Sequence, residues 1–127
     1  MSLRKAALVI AFALIGSGCG HPVMRQLEGR WFGEAVENFE QRDLPAATGW
    51  ARGVSFEFAG ENVTVSVPAE EPRTAPYEVA GVQRNDVRLS VRSPTGQKES
   101  VRLRLDDERS IRWMLDDHHA VVLRRED

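Results

Sequence analysis

An all-β fold is predicted for this chain: a small up-and-down antiparallel barrel of about eight short strands. Three observations predict it. Apolar and polar residues alternate with period two in one segment after another from Gly29 onward, the pattern of a strand with one buried face. The runs are short and are closed by clusters rich in Gly, Pro, Asn, Asp or Ser, the residues that turns require. They also follow one another through turns or short loops, so sequence neighbours are expected to pair. Strands joined that way would leave two bare edges in an open sheet, and closure into a barrel removes both.

The elements follow in order. A first strand is expected at about Arg30 to Val36. Val54, Phe56 and Phe58 then alternate with Ser55 and Glu57, and after the Gly60-Glu61-Asn62 turn Val63, Val65 and Val67 alternate with Thr64 and Ser66. A proline-bounded acidic loop, Pro68 to Pro76, precedes a strand begun by Tyr77 and Val79, and Gln83 to Asp86 make a turn. Val87, Leu89 and Val91 alternate with Arg88, Ser90 and Arg92 as far as the turn Ser93-Pro94-Thr95-Gly96. Val101, Leu103 and Leu105 against Arg102 and Arg104 form the sixth strand, and Ile111, Trp113 and Leu115 against Arg112 and Met114 the seventh. Asp116 to His119 turn the chain into the last strand, Ala120 to Arg125.

One segment breaks the pattern. Residues 38–53 lack alternation, and Asp43 as an N-cap, Pro45 in a first turn and Gly53 as a stop predict one short helix after the first strand. Phe39, Leu44 and Trp50 there would form either a lid over an apolar ligand or a plug that completes the core. The short strands and the bulky inward Phe56, Phe58 and Trp113 favour the plug.

The chain's 127 residues leave room for one domain. Arg4 and Lys5 precede an uncharged apolar stretch of 11 residues, Ala6 to Gly16. A bilayer-spanning helix needs about 20, so residues 1–18 read as a signal peptide. This segment ends in Leu14-Ile15-Gly16-Ser17-Gly18-Cys19, which resembles a bacterial lipobox. The resemblance implies that Cys19 carries lipid, palmitate included, becomes the N-terminus and holds the protein on a membrane. Cys19 is the one cysteine of the chain, so it has no partner for a disulfide in an oxidising exported compartment. Gly20, rather than an aspartate, follows it; by analogy with enterobacterial sorting this implies the outer membrane, facing the periplasm. Residues 19–27 are expected to be a tether. At no more than about 3.5 Å per residue it keeps the domain at residues 28–127 within roughly 30 Å of the lipid.

With Gly29-Arg30-Trp31 opening the first strand, the β-meander after it and Arg124 or Arg125 ending the last, residues 28–127 resemble a small lipocalin-like (calycin-type) domain. The resemblance implies that an arginine near the end of the last strand packs across the Trp31 indole and closes the base of the barrel. An arginine over an indole face contributes about 0.5–2 kcal/mol by cation–π attraction.

The charges narrow the function. The chain carries 17 basic and 19 acidic residues, a net charge of −2. The signal peptide would remove Arg4 and Lys5 and no acid, so nothing in the balance suggests nucleic acid, and the exposed aromatics of a nucleic-acid platform are missing too. Arg88, Arg92, Arg102, Arg104 and Arg112 fall on the outward faces of three consecutive strands. They are either a solvated face or a wall that could meet anionic lipid or an acidic partner. His118 and His119 beside Asp116 and Asp117 form the one cluster with metal-ligand residue types, but zinc and copper want three or four convergent ligands; a solvated turn is the expectation, with no metal and no cofactor. Glu70-Glu71, Asp106-Asp107 and Asp116-Asp117 lie in turns or loops, and no nucleophile motif is visible, so no catalytic residue is assigned.

The function expected is therefore non-enzymatic: a lipid-anchored envelope protein presenting a small barrel for interaction or assembly, with an envelope protein among its partners. An alternative is a binding module for a small apolar ligand inside the barrel. A third is an inhibitor of a hydrolase acting through the Pro68 to Pro76 loop. Cavity volume separates the first two: a filled interior supports interaction, a lined void of several hundred cubic ångströms supports a ligand.

Overall fold

A computed structural model describes residues 21–127; the expected signal peptide and the expected lipidation at Cys19 lie outside the described residues. Eight strands follow in order: β1 (Gly29–Glu37), β2 (Ser55–Ala59), β3 (Asn62–Ser66), β4 (Arg73–Gln83), β5 (Asp86–Arg92), β6 (Lys98–Leu105), β7 (Ser110–Met114) and β8 (Ala120–Arg125). Each pairs antiparallel with the next, and β8 returns to pair with β1, so the sheet is a closed barrel. The expected architecture is the observed one.

The registers carry the alternation through. Trp31 faces Phe56, Phe58 faces Val63, Val87 faces Leu103, and Ile111 faces Leu123. Residues directly opposite in an antiparallel ladder share a face, so these pairs stack inward and are buried. Two irregularities interrupt the ladders, between Gly33 and Ala35 on β1 and between Val79 and Gly81 on β4. Extra residues of this kind bend a strand and sharpen its twist, as closing eight short strands requires.

Helix α2 (Leu44–Ala51) occupies the segment that lacked alternation. Pro45 sits in its first turn, but the Asp43 side chain makes no capping bond: Asp43 has helical backbone angles, which place it inside the turn rather than before it. Ala51, fully buried, is the residue α2 seats on the barrel. It can do so because β1 has Gly33 at that point; a Cβ there would lie 1.8 Å from the Ala51 carbonyl oxygen. The Gly33 N–H donates to Val54 O at 2.9 Å, locking the α2–β2 link against β1.

Several boundaries differ from expectation: β6 begins at Lys98 rather than Val101, and β7 ends at Met114, leaving Leu115 38 % exposed in the turn that follows. Residues 23–27, expected as part of the tether, form a one-turn helix, α1 (Val23–Leu27), whose Val23 and Leu27 are buried. Leu27 enters the core beside Trp31 and its carbonyl accepts from Trp31 Nε1 at 2.8 Å, so the barrel has a floor that period-two reasoning does not see. Strand β4 begins at Arg73 rather than Tyr77, because Thr74 and Ala75 pair with Thr64 and Val63. The acidic loop is correspondingly shorter.

Turns alternate between two ends. The base holds α1 with the β2–β3, β4–β5 and β6–β7 turns; the mouth holds α2 with the β3–β4, β5–β6 and β7–β8 connections. Among the described residues, no helix is long and apolar enough to cross a membrane.

Candidate functional site: the open mouth of the barrel

The barrel interior is not uniform along its axis. Towards the base it is filled by Trp31, Phe58, Leu103, Ile111 and Leu123, all at most 1 % exposed, together with Leu27 from α1. Towards the mouth the inward residues are valines: Val65 on β3, Val67 just beyond it, Val91 on β5 and Val101 on β6, none fully buried. Small side chains from β3, β5 and β6 leave a cup of about 640 Å³, bounded on another side by Phe56, Trp113 and Trp50. Trp113 meets Phe56 edge to face with ring centroids 5.2 Å apart. Trp50, from α2, stacks on Trp113 at 6.1 Å and remains 37 % exposed.

The filled interior expected from Phe56, Phe58 and Trp113 is therefore found only in the lower half. Phe58 and the aliphatic residues around it occupy the base, while Phe56 and Trp113 pack against each other and the wall instead of crossing the mouth. Of the three residues considered for a lid or plug, only Trp50 borders the cup. Leu44 is 40 % exposed at the first residue of a helix that seats through its last, Ala51. Phe39 packs edge to face on His119 at 4.7 Å, clasping the start of the α2 segment to the β7–β8 turn. Asn38 Nδ2 adds a 2.6 Å bond to His118 O at the same clasp.

The base is closed by one arginine. The Arg125 guanidinium lies over the Trp31 ring, 4.2 Å from its centroid. Its Nε donates to Glu108 O at 2.9 Å and its two terminal nitrogens to the carbonyls of Glu28 and Gln26. One side chain thus ties β8, the β6–β7 turn and the end of α1 together. Gly29, at φ +122°, belongs to the same lock: a Cβ there would come within 2.9 Å of Arg125 Nη1. Arg124, the other candidate for closure, points outward and pairs with Glu34 at 2.7 Å, since neighbours on a strand face opposite sides. That pairing holds the Glu34 carboxyl below its usual range, chiefly through the hydrogen bond from Arg124. A depression of about 920 Å³ beside this lock is ringed by charged residues of α1, the β6–β7 turn and the C-terminus, with the committed Arg125 among them. It offers less apolar wall than the mouth.

Cross-strand register brings the five arginines onto one outer wall, with Arg88 opposite Arg102 and Arg104 opposite Arg112. Carboxylates interleave with them. Arg102 pairs with Asp117 at 3.0 Å, Arg104 with Asp86 at 2.8 Å, and Arg112 with both Asp106 at 2.6 Å and Glu37 at 3.3 Å. Among the described residues Arg88 and Arg92 have no such partner. The alternation reveals the wall; the partners come from turns, whose positions it does not encode.

The histidine turn is tightly wired. Asp116 Oδ1 accepts from the backbone N–H groups of His118 and His119, each at 2.7 Å, and Asp116 Oδ2 lies 2.7 Å from His119 Nδ1. The backbone donor at His119, then that at His118, hold the Asp116 carboxyl well below the usual carboxylate range. Three or more metal-ligating side chains converge nowhere among the described residues.

One interior polar atom stands out. Tyr77 is 3 % exposed, and its hydroxyl has no hydrogen-bond partner among the described residues. Burial pushes its pKa up to about 12, with the Glu28 carboxylate adding to the shift.

No protein-family model matches this chain, and no curated protein matches it either. The octameric penicillin-binding protein homologue from Pyrococcus abyssi is similar in structure at a TM-score of 0.43 and 13 % identity, over 78 % of this chain and 19 % of that one. The chain thus spans about a fifth of that protein's length.

Proposed function

We propose that this chain is a non-catalytic binding module, held at the cell envelope by lipid on Cys19, that takes a small apolar molecule into the open mouth of a lipocalin-like barrel. The observation that carries this reading is the cup of about 640 Å³. Small-molecule sites are concave, mostly apolar and about 300–1,000 Å³ in volume, and the valine-lined cup meets each criterion. A barrel filled to both ends would instead favour interaction through its outer surface. The Trp31–Arg125 lock supports the lipocalin-like part, because it confines any opening to the opposite end.

The test is a titration of the mature protein with N-phenylnaphthylamine, a neutral apolar dye that brightens on leaving water. Saturable binding of one dye per chain is expected. Val101→Phe, which adds bulk to the wall of the cup, should weaken it at least tenfold while the melting temperature changes little. Unchanged affinity in Val101→Phe would place the dye elsewhere and remove the reading.

A second reading, contact with an anionic surface through the arginine wall, has one supporting observation: Arg88 and Arg92 are free of carboxylate partners among the described residues. Under it, Arg88→Gln with Arg92→Gln should lower binding to vesicles of anionic lipid at low salt. Equal binding before and after would leave the wall a solvated face.

A further inference from the structure

Strand parity decides which charges face the cup. Arg73 pairs with Val65, and Glu99 with Val91; Val65 and Val91 line the cup, so Arg73 and Glu99 stand on the inner face at its rim. Their nearest side-chain atoms are 3.9 Å apart. Arg92, one residue beyond Val91, also lines the cup at its rim and has no carboxylate partner among the described residues. Glu70 and Glu71 border the cup from the β3–β4 loop, and neither is ion-paired among the described residues. Three carboxylates and two guanidiniums therefore border the mouth; Glu99 holds Arg73, and the unpaired Glu70 and Glu71 outnumber the unpaired Arg92.

The wall of β2, β7 and α2 is aromatic, its rings packed on one another with no arginine over them. The arginine–aromatic stacks among the described residues are Arg30 on Phe32 and Arg125 on Trp31, both away from the cup. Trp50 and Trp113 thus present indole faces without a protein cation over them. An indole face attracts an ammonium group electrostatically, and two free carboxylates at the same opening attract it further. Against the unpaired Arg92, the two free carboxylates and the indole faces disfavour a carboxylate or phosphate on balance. The chain's net charge of −2 acts in the same direction at longer range.

We infer that the occupant is a cationic amphiphile: an apolar body in the valine-lined cup, with an ammonium group at the mouth where Trp50, Trp113, Glu70 and Glu71 border it. This rests on the cup being a ligand site, as proposed above. The acids set the sign of the head group; the cavity makes the site.

Calorimetric titration of the mature protein with three dodecyl compounds below their micelle concentrations tests it: dodecanol, dodecyltrimethylammonium and dodecanoate. The ammonium compound should bind about tenfold tighter than the alcohol, and the carboxylate weaker than the alcohol. In Glu70→Gln with Glu71→Gln, the preference for ammonium over alcohol should fall to about twofold or less. Glu57→Gln, which removes an exposed acid from the outer face of β2, should leave the preference intact and so control for net charge. Alcohol binding with equal or tighter carboxylate binding would overturn the inference and spare the cup. Failure of all three to bind would overturn both.

Discussion

At the scale of single residues, Trp31 and Arg125 carry the fold's most specific contact. Deleting a large buried aromatic costs about 3–5 kcal/mol, so Trp31→Ala should remove much of a stability of roughly 5–15 kcal/mol. Because the arginine loses its platform in that variant, Trp31→Ala and Arg125→Gln together should cost less than their sum, by about 0.5–3 kcal/mol in denaturant unfolding. Arg124→Gln should add to Trp31→Ala independently, since Arg124 pairs with Glu34 outside. The sequence offered either arginine; parity alone could not choose, because two adjacent residues at a strand end differ only in face. Tyr77 shows the opposite economy. Its hydroxyl is buried without a partner among the described residues, and an unpaired buried polar group is costly. Tyr77→Phe keeps the edge contact with Phe58, whose centroid lies 5.3 Å away, and should be neutral or stabilising by about 1 kcal/mol. The phenol's pKa is raised in the folded state to about 12, against about 10 when unfolded. Below pH 10 the phenol is neutral in both states and adds no pH dependence; stability is lost between about pH 10 and 12, where only the unfolded phenol ionises. Tyr77→Phe should lose less stability than the native protein across that window, as read by melting temperature against pH.

At the scale of elements, the alternation gave the barrel strands almost residue by residue, because each strand has one buried face and turn residues mark its ends. Period-two reasoning failed where burial comes from elsewhere. Val23 and Leu27 sit in one helical turn, too short for a helical period to show, and are buried only because the base needs a floor. Strand β4 gained its first residues from pairing with β3, a tertiary effect on a proline-containing stretch. Helix α2 was legible from its proline and flanking turn residues, but not the face it would use: its seat is Ala51 on Gly33. That seat gives a sharp test. A Cβ at Gly33 collides with backbone, which cannot swing aside as a side chain can, so Gly33→Ala should destabilise by about 1–3 kcal/mol. It should also displace Trp50 from Trp113 and change the tryptophan fluorescence. Gly49→Ala, on the same helix with open space around it, should be neutral or stabilising; destabilisation of both variants to the same extent would mean that helix and barrel are not locked at Gly33.

At the scale of the whole molecule, a closed end and an open end follow from side-chain size: Trp31, Phe58 and leucines fill the base, while valines of β3, β5 and β6 leave the mouth open beside one aromatic wall. The sequence contained that gradient, but reading it requires knowing which end of each strand meets which, and the antiparallel order supplies this only after closure. The inward Arg73 and Glu99 were hidden for the same reason. They extend the alternation of β4 and β6 past its last apolar residue and show their face only once β3 and β5 are set beside them. The proposed lipid anchoring is tested on the intact chain. Cys19→Ser should abolish labelling with radioactive palmitate and leave the precursor uncleaved; labelling that persists would refute attachment at Cys19. The central claim, that the mouth of the barrel is the binding site, is tested most directly by amide NMR of the mature protein titrated with dodecanol. Shifts should concentrate at Val65, Val91, Val101 and Trp113, with Trp31, Leu103 and Leu123 at the base unmoved. Shifts spread over the outer wall at Arg88, Arg102 and Arg112, or no shifts at all, would contradict it.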